Sequence, residues 1–196
     1  MASTYLTKSN PSSTSTNQYK GTFSFWLKLS VSTSTGYLFI QESGQERFLL
    51  YINSSAKFGG GYRNSSGTIN LDFTFPDNRQ FRDCNGWYHF VLAYDTSNAT
   101  ASNRVRIYVN NEEITANFID GGANPADLPQ NTIFPLNKTS FANPLYLGSD
   151  SSGTTNFNGS MSHCYFIDGQ QLTPSTFGEY DANGVWKIIV EPSVTY

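Results

Sequence analysis

Hydrophobic and polar residues alternate with a period of two along most of this 196-residue chain. Phe23, Phe25, Leu27 and Leu29 alternate with Thr22, Ser24, Lys28 and Ser30. Ile69, Leu71, Phe73 and Phe75 alternate with Thr68, Asn70, Asp72 and Thr74. Val105, Ile107 and Val109 alternate with Arg104, Arg106 and Asn110. A strand sends successive side chains to opposite faces, so each series predicts a strand with one dry and one wetter face. Trp26 breaks the first series and sets a large ring on the other face. Residues 48–52 and 87–94 are apolar on both faces, as strands covered from both sides are, and the second predicts a central strand. Residues 37–40, 145–147 and 157–167 complete the main strands.

The residues between these runs are turn formers. Gly59, Gly60 and Gly61 predict a tight turn or bulge. Asn110 and Asn111 stand between Val109 and Glu112, a two-residue hairpin signal, since Asn tolerates positive φ better than most residues. Residues 96–103 read as a polar loop, and residues 120–143 as a long ordered loop covering a sheet edge. One short helix is signalled near 173–178, with Thr173 as cap, Pro174 at the first helical position and Phe177 turned inward. No repeat and no linker divides the chain. Many short strands joined by turn residues predict an all-β, two-sheet antiparallel jelly-roll sandwich.

Composition narrows the function classes. Only 14% of residues are charged, where about 25% is ordinary, and 15% are aromatic. A net charge of −3 with scattered cations gives no electrostatic footprint for nucleic acid. No apolar run reaches the length of a membrane span. Residues 1–5 lack the apolar stretch of a signal peptide, so the expectation is either use without secretion by that route or a leader that is missing. Cys84 lies in a polar loop and Cys164 in a strand; two free thiols are expected, fitting assembly in a reducing cytoplasm. Cys164 reads as a small core hydrophobe. His89, in the doubly apolar strand, reads as a hydrogen-bonded structural residue. His163 has no cysteine, histidine or serine-elbow partners at metal or triad spacing. Trp26, Trp87 and Trp186 are each accounted for by the core.

Gly21-Thr22-Phe23-Ser24-Phe25-Trp26-Leu27-Lys28, the strand from Gly86-Trp87-Tyr88-His89 to Asp95, Arg106-Ile107-Tyr108-Val109-Asn110-Asn111 and Leu145-Tyr146-Leu147-Gly148 together resemble concanavalin A-like, laminin-G-like domains. Gln80-Phe81-Arg82-Asp83 before Trp87-Tyr88-His89, and Phe166-Ile167-Asp168-Gly169-Gln170-Gln171-Leu172-Thr173-Pro174 before Phe177-Gly178-Glu179-Tyr180 and Gly184-Val185-Trp186, resemble a subgroup in virion and tail proteins of marine bacteriophages. The resemblance makes residues 1–186 one domain. It implies a role without a reaction: a fibre, spike or capsid-decorating subunit in the virion, partnered by capsid or tail proteins and attaching to host surface glycans. The expected assembly is a homo-oligomer, with a trimer as the guessed number. Where the subgroup usually has a proline after the last Trp, this chain continues Lys187-Ile188-Ile189-Val190, so residues 187–196 are expected to form an extension or extra strand for a neighbouring subunit's sheet edge. Residues 1–8 are a second candidate contact. The alternative is a stand-alone carbohydrate-binding lectin module, with a glycoside hydrolase as a third reading.

The resemblance also frames the chemistry. Glucanases of this architecture carry Glu-x-Asp-x-x-Glu on a strand; here Glu179-Tyr180-Asp181-Ala182-Asn183-Gly184 ends in glycine, and Glu42 and Glu46 flank a turn. No catalytic residue is assigned. Laminin-G-like domains admit calcium, for which Asp95 and Asp150 are candidates, although turn capping accounts better for both; no cofactor is expected. Sugar recognition needs an aromatic platform with amides and carboxylates on loops, which points to Tyr62, Arg63, Asn64, Asp150 and Asn156.

Overall fold

Phe23, Phe25, Leu27 and Leu29 all face one interior and are buried, as their alternation requires. The computed structural model describes residues 5–9, 17–30, 34–76, 78–114, 128–134, 136 and 143–194. The protein is an all-β sandwich of two antiparallel sheets. The six-stranded sheet runs β1 (Leu6–Lys8), β10 (Leu145–Leu147), β3 (Gly36–Ser43), β4 (Glu46–Ile52), β5 (Phe58–Arg63) and β6 (Ile69–Thr74). The five-stranded sheet runs β11 (Gly159–Asp168), β2 (Lys20–Leu29), β7 (Tyr88–Asp95), β8 (Val105–Val109) and β9 (Glu112–Glu113). β7 is the middle strand, as its two apolar faces predict. β12 (Gly178–Tyr180) and β13 (Trp186–Ile188) form a separate hairpin.

The core between the sheets is built from rings. Phe25 on β2 stacks on Phe90 on β7 with centroids 5.7 Å apart, and Phe90 meets Phe58 of the other sheet at 4.7 Å. Offset and edge contacts of this kind add to the burial energy of each ring. Asn110 and Asn111 form the β8–β9 turn with φ of 48° and 71°, the two positive values of a type I′ hairpin. Leu128, Phe134 and Leu136, from the segment expected to be a long loop, are buried in the core; residues 120–127, 135 and 137–142 of that loop lie outside the described residues.

Three local expectations are corrected. Gly59, Gly60 and Gly61 are no turn; they lie inside β5, paired with β4 and β6. Ile69, expected on the dry face, is 56% exposed, because the pairing shifts between Tyr62 and Arg63 and leaves it at the end of β6. The expected helix is a single 3-10 turn at Pro174–Thr176, and Thr173 makes no side-chain cap bond. Phe177 is buried as expected, but Gly178 already begins β12, so the chain extends before an α-turn can propagate. The strand expected over 187–190 is β13, and it pairs within the chain, Lys187 opposite Glu179 and Ile188 opposite Gly178. The N-terminal candidate contact is likewise engaged from Leu6 to Lys8, which pair with β10; residues 1–4 lie outside the described residues.

The hairpin packs back on the molecule. Val91, Ala93, Tyr108, Ile167 and Phe177 form a second apolar cluster on the outer face of the five-stranded sheet, joined by Tyr165, Leu172 and Val194. Tyr165 donates to the Val190 carbonyl at 3.2 Å. His89, 1% exposed, ties the hairpin down: the Trp186 indole N–H donates to Nδ1 at 3.0 Å. An indole only donates, so His89 carries its proton on Nε2, which donates to Ser24 Oγ at 2.9 Å. Burial lowers the His89 pKa to about 3, so the ring is neutral and structural, as expected from its strand.

Candidate functional site

The outer face of the six-stranded sheet carries the side chains that alternate with the core. On β4 these are Arg47, Leu49 and Tyr51, between Phe48, Leu50 and Ile52. Arg47 stands directly opposite Arg63, Leu49 opposite Gly61 and Tyr51 opposite Gly59. The glycines shape what lies between. A Cβ on Gly59 would meet the Tyr51 ring at 2.5 Å, so the ring lies across bare backbone. It reaches the next strand but one, where the Tyr51 hydroxyl and Thr74 Oγ1 are 2.9 Å apart. Gly61 leaves the floor low beside Leu49.

The result is an open groove of about 330 Å3 across β3 to β6. Tyr37 and Tyr51 form one wall, Arg47 and Arg63 the other, with Leu49 and Gly61 beneath and Asp72 beyond. The Arg63 Nε–H donates to the Gln45 carbonyl at 2.7 Å, which fixes that guanidinium. Lys20, Arg79, Arg106 and Lys187 are each held in an ion pair, whereas neither groove arginine has a carboxylate partner among the described residues. Like charges directly opposite on neighbouring strands repel, so this pair is a place where an anion lowers the energy. Ring faces, a fixed guanidinium fork and a carboxylate in one groove are the parts that bind an oxygen-rich ligand with an apolar face.

The five residues selected from sequence for sugar binding are dispersed. Arg63 lines the groove. Tyr62 does so through its strand, but its ring points inward, 5% exposed, with its hydroxyl donating to Glu46 Oε1 at 3.3 Å; burial and that carboxylate hold its pKa up. Asn64 caps its own turn, its Oδ1 accepting from Ser66 N–H and Thr68 N–H. Asp150 organises the 150–154 turn, accepting from Thr154 N–H at 2.7 Å and Thr154 Oγ1–H at 2.9 Å. Burial opposes its charge, but hydrogen bonds from Thr154 and Thr155 outweigh that and hold its carboxyl well below the usual range. Asn156 donates to the Gly153 carbonyl and bridges Tyr37 through its backbone, beside the groove rather than in it. What sequence reading missed is Tyr37, Arg47, Tyr51 and Asp72. The signal was available: Arg47, Leu49 and Tyr51 are the off-phase residues of a strand whose other face is core.

The carboxylates considered for metal, Asp95 and Asp150, both hold turns. Asp95 is bonded by Ser97 and paired with Lys20 at 3.0 Å, and these bonds outweigh burial and lower its pKa. Among the described residues no three His, Cys, Asp or Glu side chains come together as a metal site. Glu179 pairs with Lys187, and Asp181 holds the β12–β13 turn by accepting from Asn183 N–H and Val185 N–H. Cys84 and Cys164 are both free; burial pushes the Cys164 thiol up to about 11. The tryptophans depart from expectation: Trp26 is 8% exposed, but Trp87 is 44% exposed and Trp186 half-buried.

A family model described as the concanavalin A-like lectin/glucanases superfamily matches residues 2–175. Among solved structures, the chain is similar to the CBM40 of the Ruminococcus gnavus IT-sialidase, with a TM-score of 0.56 at 15% identity, covering 87% of this chain and 92% of that one. It is similar to the leech intramolecular trans-sialidase, with a TM-score of 0.52 at 17% identity, covering 87% of this chain but 26% of that one. The receptor-binding domain of a botulinum neurotoxin C/D mosaic serotype matches with a TM-score of 0.52 at 12% identity, covering 81% of this chain and 35% of that one. No curated protein matches the chain.

Proposed function

The chain belongs to the concanavalin A-like lectin/glucanases superfamily, and on that premise we propose that it is a glycan-binding module that holds an acidic saccharide in the groove over β3 to β6. The observation that carries this reading is the pair Arg47 and Arg63, cross-strand neighbours on one wall of a groove whose other wall is two tyrosine rings. A sugar carboxylate satisfies both guanidinium groups, while a pyranose C–H face lies along Tyr51 and Tyr37 and Asp72 accepts from hydroxyls. The R. gnavus CBM40 of the same fold was solved bound to α2,3-sialyllactose, which supplies a probe rather than an assignment.

Calorimetry with 3′-sialyllactose and lactose tests the reading, because the pair differs by the acidic sugar. Sialyllactose is expected to bind at least tenfold more tightly than lactose. Arg47→Ala is expected to reduce sialyllactose affinity by about tenfold to a hundredfold, the worth of one charge-assisted contact, with folding unchanged. Equal affinity for the two sugars, or an unaffected Arg47→Ala variant, would count against the groove. The bacteriophage resemblance adds a setting, a virion surface that attaches to host glycans. Co-purification with capsid or tail proteins tests that setting.

A further inference from the structure

Trp26, Trp87 and Trp186, far apart in sequence, line one open cavity of about 330 Å3 on the outer face of the five-stranded sheet. It lies where β2, the start of β7, β11 and the hairpin strand β13 meet. Trp26 is stacked on His89 with centroids 4.8 Å apart and planes 9° from parallel. Its buried indole N–H has no acceptor among the described residues. A buried donor without a partner is costly and uncommon, so it asks for an explanation. Trp87, 44% exposed, presents a large ring to solvent beside it. β11 bulges between Ser162 and Tyr165, and His163 at the bulge adopts φ of 47°, a conformation L-residues seldom take. The bulge sets Ser162 and His163 at the cavity wall, Ser162 Oγ 2.7 Å from His163 Nδ1. Strain, an exposed ring and an unpaired donor coincide in one place.

We propose that this cavity is a second saccharide site, separate from the groove, that takes the acetamido group of an N-acetylhexosamine. The chemistry follows from the lining. Ring surfaces accept a methyl group and a pyranose C–H face. Among the lining residues, the unpaired buried donor on Trp26 asks for one acceptor, which an acetamido carbonyl is. The acetamido N–H has Ser162 Oγ to donate to. A bare hydroxyl in the same place fits less well, because it has no methyl group to bury against the rings.

The test is titration of the full chain with N,N′-diacetylchitobiose and with cellobiose, which lacks the acetamido groups, read by tryptophan fluorescence and calorimetry. Diacetylchitobiose is expected to bind saturably and at least tenfold more tightly than cellobiose. Trp87→Ala is expected to abolish binding, and Trp26→Phe, which keeps a ring but removes the donor, to weaken it at least tenfold. Arg47→Ala is expected to leave it unchanged, which separates this site from the groove. Trp87 is exposed enough to be replaced without loss of fold, so it decides the matter if Trp26→Phe does not fold. No binding at millimolar ligand, equal affinity for both disaccharides, or undiminished affinity in Trp87→Ala would overturn the proposal.

Discussion

Phe90→Ala is expected to lower the free energy of unfolding by about 3–5 kcal/mol, the usual cost of removing a buried phenyl ring. Phe90 is fully buried on the middle strand of the five-stranded sheet. It touches Phe25 across the strand pair and Phe58 across the sandwich, and Phe81 caps it with centroids 4.9 Å apart. Its neighbours are rings held by both sheets, so they cannot collapse into the space, and the cavity remains. Urea unfolding followed by far-UV circular dichroism measures the loss. A domain of ordinary stability holds only about 5–15 kcal/mol, so the variant should unfold at markedly lower denaturant. Ile69→Ala is the control: its side chain is 56% exposed, and its cost is expected within about 0.5 kcal/mol. Similar losses at the two positions would contradict the packing.

The second large effect is on acid stability, through His89. Burial lowers its pKa from 6.5 to about 3 in the folded protein. A histidine that stays neutral when folded but charges when unfolded makes the unfolded state bind more protons below pH 6.5. Its contribution is therefore complete above that pH and is lost as pH falls toward 3. The limiting slope is about 1.4 kcal/mol per pH unit, which gives about 2.5 kcal/mol between pH 7.5 and 4.5. Asp95, Asp150, Asp181 and Glu112 are held low by hydrogen bonds, so their stabilisation is lost as pH falls from the ordinary carboxylate values toward their lowered ones. The interval from pH 6.5 to about 5, above those values, thus reports chiefly the histidine. Near pH 3, where the folded His89 itself protonates, the Trp186 indole loses its acceptor, so the hairpin loosens and tryptophan emission shifts. His89→Gln, neutral throughout, is expected to be less stable at pH 7.5 but flat across this interval. A wild-type curve already flat there would contradict the burial of a neutral imidazole.

The sandwich itself was legible because alternation is a direct projection of a two-faced strand. Phe23, Phe25, Leu27, Leu71, Phe73, Val105 and Ile107 are all core, and the two-residue Asn turn is where spacing put it. Strand pairing was not legible. The strand from Trp186 to Ile188 is visible in sequence, but its hairpin partner, Gly178 to Tyr180 directly after Phe177, is not. The glycine run misled for a physical reason: in sequence it resembles a turn, while in the sheet its missing Cβ atoms make room for Tyr51 and for the groove floor. Site residues were sought in loops, where Asn64 and Asp150 prove to be holding their own turns. The groove is made by the outward residues of β4 and β5, which look unremarked beside the core residues they alternate with.

The most direct measurement is backbone amide NMR during titration with 3′-sialyllactose. Shift changes concentrated at Arg47 to Tyr51, Gly59 to Arg63 and Asp72 are predicted. Changes confined to residues 150–158 or to the β12–β13 hairpin, with those strands silent, would contradict a sugar-binding face on the six-stranded sheet.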